Sequence, residues 1–425
     1  MRLVKNFDAL NKTPERKMCL ELVETALSSI QPDKVIKKNV SISNNRLTIQ
    51  NLTIDLNEFH RIFLLGFGKG SAKLSYYIEQ LLINHLIKGF VIDLVPEHFK
   101  KIEYTIGTHP LPSEKNLLFT RKTIQQFNNL TITDLVIVVI AGGGSALLVN
   151  PYNISLEKLI ETNKMLLRSG ATISEMNVVR KHLDLVKGGG LAKILYPARL
   201  VTLIASDVPG NDLSTIASGP TVKDVTTKED AFDILKKYNL WETLSLSIDE
   251  LLETPKEDMY FRNISNILIS SNKTALETME KKAKNFGYKI LIESDKLQAD
   301  AQTIGKMLIE KTPPHTILLA AGETTLKVKG QGQGGRNQEL VLNALRTVSN
   351  DVVISSFDSD GWDNSAFAGA VGDYKTLEKA KRLNLNLEEF LQNNNTFPFF
   401  EKVGDGINTG RLPSNVSDLM IVLRK

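Results

Sequence analysis

A single cysteine, Cys19, stands among 425 residues, so the chain can form no internal disulfide and no cysteine-based metal cluster. That scarcity fits a reducing compartment, and a cytoplasmic location is expected. Long apolar runs are missing as well. No stretch approaches the ~20 apolar residues of a membrane span, and the opening MRLVKNFDALNKTPERKM has no apolar core of signal-peptide length. Charge of one sign is scarce: 52 basic against 48 acidic residues leave a net +4. No basic block is interleaved with aromatics, so nucleic acid is not an expected partner, and Lys281, Lys282 and Lys284 read as a solvated helix face. Three motifs are also absent. Without GxxxxGK[ST] the chain is not a P-loop enzyme, and it has neither a GxSxG nucleophile elbow nor an HExxH zinc site.

What is present is the composition of a soluble globular protein, 42% hydrophobic and 24% charged. The length calls for two domains. Thr13-Pro14-Glu15 gives a helix start with a capping hydroxyl and an early proline, and the helix should run to about Ser29. A polar hairpin is expected around Asn44-Asn45. Strands and helices then alternate. IFLLG (62–66), GFVIDLV (89–95), the continuously apolar DLVIVVIA (134–141) and RLVTLIAS (199–206) are the strands. Residues 1–225 therefore predict an N-terminal Rossmann-like, doubly wound α/β domain. The charged stretch 226–262 reads as a crossover. Residues 263–425 resume the alternation as a second α/β domain, with strands at 351–361 and 418–424.

Ligands of open α/β sheets gather at the carboxyl ends of strands, and several such ends here are chemically marked. The richest is LLAAGETTLKVKGQGQGGRNQEL (318–340), where four glycines crowd around Arg336 and Asn337 before an amphipathic helix. Glycines let backbone N–H groups approach an anion, a helix N-terminus adds partial positive charge, and Arg336 adds a planar fork. GFGKGSA places Lys69 in a turn that opens a helix, while GGGSALL places Gly142, Gly143, Gly144 and Ser145 after a buried strand. Arg180 and Lys181 adjoin on a helix, so at most one faces a ligand. His182, without an obvious carboxylate partner, reads as structural. Asp207 follows a strand. Asp358 and Asp360 in DSDGWDN could hold Mg²⁺ against a nucleotide, although the EF-hand pattern is not met. Together these loops suit phosphoryl transfer, which needs charge neutralisation and positioning more than a nucleophilic side chain.

Seven segments carry a resemblance over nearly the whole chain: GFGKGSA, GTHPLPSE, AGGGSALL, NVVRKHLDLVKGGGLA, SDVPGNDLSTIASGPT, GETTLKVKGQGQGGRNQE and NVSDL. The sequence resembles the class II glycerate 2-kinases, which carry a C-terminal MOFRL domain. The resemblance implies ATP and Mg²⁺ as cofactors, D-glycerate as substrate, 2-phosphoglycerate as product, and a cleft between two domains. It implies Lys69 and Arg336 as catalytic cations and Asp207 as the group that orients or deprotonates the hydroxyl. Gly142–Ser145, Arg180, Lys181, Glu323 and Asn337 would contact substrate or phosphate. Departures from the family pattern fall at Asn364, at Gly190 and in GRLPSNVSD (410–418). An NAD(P)H-dependent hydroxypyruvate reductase, supported by GFGKGS and Asp93, is the rival reading. A kinase for another small hydroxy acid and a non-catalytic sensor are further alternatives. A monomer or homodimer is expected.

Overall fold

Two compact units make up residues 2–425, the part of the chain that the computed structural model describes. Unit I comprises Val35–Ser206 and Asn211–Ile269; unit II comprises residues 2–34, Asp207–Gly210 and Ser270–Lys425. Both are α/β, as the alternation of elements predicts. Among the described residues no helix is long and apolar enough to cross a membrane.

The main sheet of unit I has six strands in the order Ile102–Ile106, Leu86–Asp93, Arg61–Phe67, Asp134–Ile140, Arg199–Ala205 and Ile264–Ser270. Counted along the chain, that is 3-2-1-4-5-6, the order of doubly wound sheets. The first five strands run parallel. Every residue of Asp134–Ile140 is buried, which explains why no polar residue interrupts its apolar run after Asp134. Strand order reverses between Arg61–Phe67 and Asp134–Ile140, and their carboxyl ends carry the Lys69 turn and the Gly142–Ser145 loop. The predicted hairpin is there too. Asn44 and Asn45 both sit at positive φ (51° and 58°), which asparagine tolerates, between the antiparallel strands Val40–Ser43 and Arg46–Ile49.

The stretch 226–262 is not a free crossover. Helix Lys228–Lys237 turns Ala231 and Leu235 into a buried cluster with Leu159, Leu166, Val179 and Leu183. Charge on its outer face hid that apolar stripe from a composition reading.

Unit II is a mixed sheet in the order Lys289–Leu297, Thr316–Gly322, Asp418–Arg424, Val352–Asp358, Gly369–Asp373 and Gly406–Ile407. Strand Asp418–Arg424 inserts antiparallel between Thr316–Gly322 and Val352–Asp358. Its first residue therefore lies level with the last residues of both neighbours: Asp418 pairs with Gly322 on one side and with Asp358 on the other. The N-terminal helix Pro14–Ser29 starts where predicted, Thr13 Oγ1 accepting the Arg16 N–H at 3.1 Å. It belongs to unit II, however, and not to a domain of residues 1–225. Leu20, Val23 and Leu27 share a core with Ala275, Met279, Leu319 and Ile421. Arg16, fully buried, is held by Asp373 (2.6 and 2.7 Å) and Asp405 (2.8 and 3.1 Å). Helix periodicity reveals that a face is apolar but not which sheet it covers.

Candidate active site

Unit I gathers cations and a glycine loop at the reversal of strand order. The Lys69 N–H donates to Gly142 O at 2.7 Å, clipping the two turns together. Gly143 has φ 72°, and a Cβ there would lie 2.7 Å from the His109 ring, so only glycine fits. Ser145 Oγ lies 2.9 Å from Ser218 Oγ, which in turn donates to Asn177 at 3.0 Å. Lys187, buried, supports the loop from behind, donating to Ser145 O (2.9 Å) and Leu148 O (3.0 Å) beside Asp184. Burial lowers the Lys187 pKa, Asp184 partly restores it, and nearby Arg180 lowers it further.

Three cations here differ in their partners. Lys181 is tied to Asp224 at 3.0 Å and serves the interior. Arg180 donates to Asn163 Oδ1 at 2.7 Å and, among the described residues, pairs with no carboxylate; burial lowers its pKa. Lys69 has no ion pair among the described residues either. Of the adjacent pair, Arg180 is thus the one left with charge to offer. His182 is buried with its ring between Leu252 O (2.8 Å) and Thr226 Oγ1 (3.2 Å), and Asp224, a carboxylate neighbour not evident from the sequence, lies 3.6 Å from its Nε2.

The helix after the Lys69 turn, Ser71–Leu82, does not present an open N-terminus. Asp93 accepts N–H bonds from Gly70 and Ala72 at 2.9 Å and from Leu94 at 2.6 Å. Burial pushes Asp93 up to about 6 against those three bonds. A ribose carboxylate would have to face solvent and sugar hydroxyls. Asp93 is 1% exposed and occupied, which removes the residue that supported the nicotinamide reading.

Unit II assembles the other set. Arg336 Nη1 donates to Glu323 at 2.8 Å, its Nε lies 2.8 Å from Asp418 Oδ2, and its Nη2 donates to Asp418 Oδ1 at 3.1 Å. Asp358 stands 3.6 Å away. Burial works against the guanidinium charge, but Asp418, Glu323 and Asp358 outweigh it and raise the Arg336 pKa. Asp418 is pushed up to about 6 by burial, and Asp358 is raised by burial with Asp360 and Asp418 close by. One cation among these carboxylates leaves the cluster electronegative. Asp360 folds locally, its N–H donating to Asp358 Oδ1 at 3.0 Å. Asp207 receives the Asn415 side-chain amide at 3.3 Å.

Two expectations about the glycine-rich stretch need correcting. Its N–H groups do not form an open anion nest. Lys329 and Gly330 donate to Asn394 Oδ1 (2.7 and 3.1 Å), Gln331 and Gly332 to Asn393, and Gln333 to Asn395 at 3.0 Å. The glycines serve close approach: a Cβ on Gly330 or Gly332 would lie 2.4–2.5 Å from Asn393. The following helix, Arg336–Ala344, is capped by Asp363, which takes the N–H groups of Asn337 (3.0 Å) and Gln338 (2.9 Å). Asn337, expected to contact substrate or phosphate, has its side chain engaged inside the fold. Fully buried, it donates to Asp418 at 2.7 Å and accepts from Ser356 at 2.5 Å, positioning the Arg336 partner. Sequence reasoning does not single out Asp418, which lies inside the NVSDL segment, or the Asn393–Asn395 run, whose side-chain amides are the available signal. Asn364, by contrast, sits in the left-handed region at φ 50°, a conformation that asparagine tolerates and glycine adopts freely.

Residues 18–253 match a family described as a domain of unknown function, DUF4147, and residues 316–418 match the MOFRL family. A glycerate 2-kinase of Pyrococcus horikoshii is 34% identical over 433 residues, covering 96% of this chain and 97% of the relative. The chain belongs to the glycerate kinase family with a MOFRL domain. Within that family, the crystal structure of a glycerate kinase from Thermotoga maritima superposes with a TM-score of 0.85 at 30% identity, covering 96% of this chain and 99% of the other. A relative from Agrobacterium vitis named for hydroxypyruvate reductase is 35% identical over 386 residues, covering 85% and 87%. Family membership covers both units, so the Lys69 and Arg336 neighbourhoods belong to one enzyme.

Proposed function

We propose that this enzyme transfers the γ-phosphoryl group of ATP to the 2-hydroxyl of D-glycerate, giving 2-phosphoglycerate. The observation that carries the reading is the opposite charge of the two residue sets. Among the described residues, unit I offers Lys69, bridged to the Gly142–Ser145 loop, and Arg180, held by Asn163, without ion-paired carboxylates. Unit II offers a surplus of carboxylates around Arg336.

In this mechanism Arg180 takes the carboxylate of the acid, while the loop and Ser145 bind its oxygens. Lys69 balances charge that builds on the transferring phosphoryl oxygens. Asp207, oriented by Asn415, accepts the hydroxyl proton. Arg336 is fixed from behind by buried Asp418, and half-exposed Glu323 is the partner an incoming phosphate oxygen displaces.

Asp358 and Asp360 fit a magnesium ion that takes its remaining ligands from water and phosphate. Among the described residues no group of three or more His, Cys, Asp or Glu is arranged as a complete metal cage. Bound there, the ion would neutralise phosphate charge.

The test is a coupled assay with ATP, Mg²⁺ and D-glycerate, with enolase in the couple and no phosphoglycerate mutase. Signal is expected, since enolase accepts the 2-phospho product. ATP consumption without enolase signal would overturn the position of transfer, and no consumption with D-glycerate would overturn the substrate.

A further inference from the structure

The loop that follows strand Ile102–Ile106 is fastened to the glycine loop by one buried side chain. Asn116, fully buried, accepts the Thr108 N–H and the Ser113 hydroxyl at 3.0 Å each, and donates to Thr108 O at 3.0 Å and Ala146 O at 2.9 Å. That single amide ties residues 108–113 to the turn just beyond Ser145. The adjacent residue, His109, is thereby laid over Gly143, its Cδ2 and Nε2 within 2.8 Å of where a Cβ would stand. Among the described residues neither ring nitrogen of His109 has a hydrogen-bond partner, and the ring is only partly buried. Its hydrogen-bonding capacity is therefore left for solvent or a ligand. A rigidly held, unsatisfied ring beside a glycine loop is what a ligand contact requires.

We infer that His109 contacts the acid substrate as an uncharged hydrogen-bond donor, directing one ring N–H at an oxygen of the hydroxy acid over the Gly142–Ser145 loop. The inference rests on the reading above that this loop holds the acid. Burial and the neighbouring Lys69 ammonium press the imidazole down to about 4, so the ring adds a directional contact without adding charge. Lys187, the ammonium behind the loop, is spent on Ser145 O and Leu148 O, whereas Lys69, with no ion pair among the described residues, is left to answer the phosphoryl group. His109 and Lys69 thus divide two tasks, recognition of the acid and compensation of transferred charge.

The experiment is steady-state kinetics of the full chain with D-glycerate and ATP varied in turn. His109→Ala is expected to lower kcat/KM for D-glycerate by roughly 10- to 100-fold, as loss of a hydrogen bond to a charged group does, while KM for ATP stays within about twofold. His109→Asn places an amide near the Nδ1 position and His109→Gln near Nε2, and one of them should restore much of the loss. An Ala variant within about twofold of wild type would overturn the inference. So would a loss shared equally by both substrates and rescued by neither amide.

Should the wild type itself fail to turn over D-glycerate, the function proposed above fails first. The His109 inference is then decided separately, by following the ring nitrogens in ¹⁵N spectra while D-glycerate, glycolate or L-lactate is added. A saturable shift with any of them supports it, and no shift with all three overturns it.

Discussion

Arg336 and Lys69 were paired by sequence as two cations of one kind, yet their surroundings make their mutants behave differently. Lys69 has no ion pair among the described residues, so Lys69→Met should leave the thermal midpoint nearly unchanged while lowering kcat by roughly 100-fold or more. Arg336→Ala should lower kcat comparably, but it also leaves buried Asp418 and largely buried Asp358 uncompensated. Breaking such a pair costs about 3 kcal/mol or more, visible as a lower urea midpoint at pH 7.5. The sign of its pH dependence follows from linkage. Asp418 and Asp358 already have raised pKa values in the folded state, and removing the cation raises them further. Groups with folded pKa above unfolded pKa favour the folded state at low pH and lose that contribution as pH rises. The stability deficit of Arg336→Ala should therefore shrink between pH 7.5 and pH 5.5, and a deficit that grows would contradict the buried-carboxylate account. Arg336→Lys should rescue little, because an ammonium cannot span Asp418 and Glu323 at once.

At the scale of elements, the strands were legible because burial on both faces writes a continuous apolar run, as in Asp134–Ile140. The helix start at Thr13 was legible because its capping partner is three residues away. The partners of the glycine-rich stretch were not, since Asn393–Asn395 lie some sixty residues beyond it and nothing local announces the pairing. The same holds for Asp93 and Asp363, which occupy helix N-termini expected to be open to anions. In each case a side chain distant in sequence took the N–H groups that the motif advertised. Asn394→Ala removes the acceptor for two N–H groups, each worth about 1 kcal/mol. Amide exchange at Lys329 and Gly330 should accelerate about tenfold or more, with exchange in strand Asp134–Ile140 unchanged.

For the whole molecule, length asks for two domains and the alternation of strands and helices for α/β layers, but neither says where the chain passes between the two units. Chain order places helix Pro14–Ser29 in a domain of residues 1–225, whereas Arg16 and its apolar face bind it to unit II. Arg16→Ala should destabilise unit II by about 3–5 kcal/mol, since Asp373 and Asp405 lose their shared cation. The measurement is urea unfolding followed by Trp362 fluorescence, with Trp241 replaced by Phe so that the signal belongs to unit II alone. A protein starting at residue 35 should retain the hydrogen-exchange protection of unit I strands and lose it in Thr316–Gly322 and Asp418–Arg424.

The central place of Asp418–Arg424 also fixes the order in which the protein can be born. On the ribosome, unit I has all its strands by residue 270, whereas the sheet of unit II lacks its middle strand until residues 418–424 leave the exit tunnel. Helix Pro14–Ser29 emerges well ahead of that sheet and waits for it, a delay of roughly 20–80 s at synthesis rates of 5–20 residues per second. Throughout that interval Leu20, Val23 and Leu27 lack the sheet that covers them in the folded protein, which makes this helix the natural ligand for a holding chaperone.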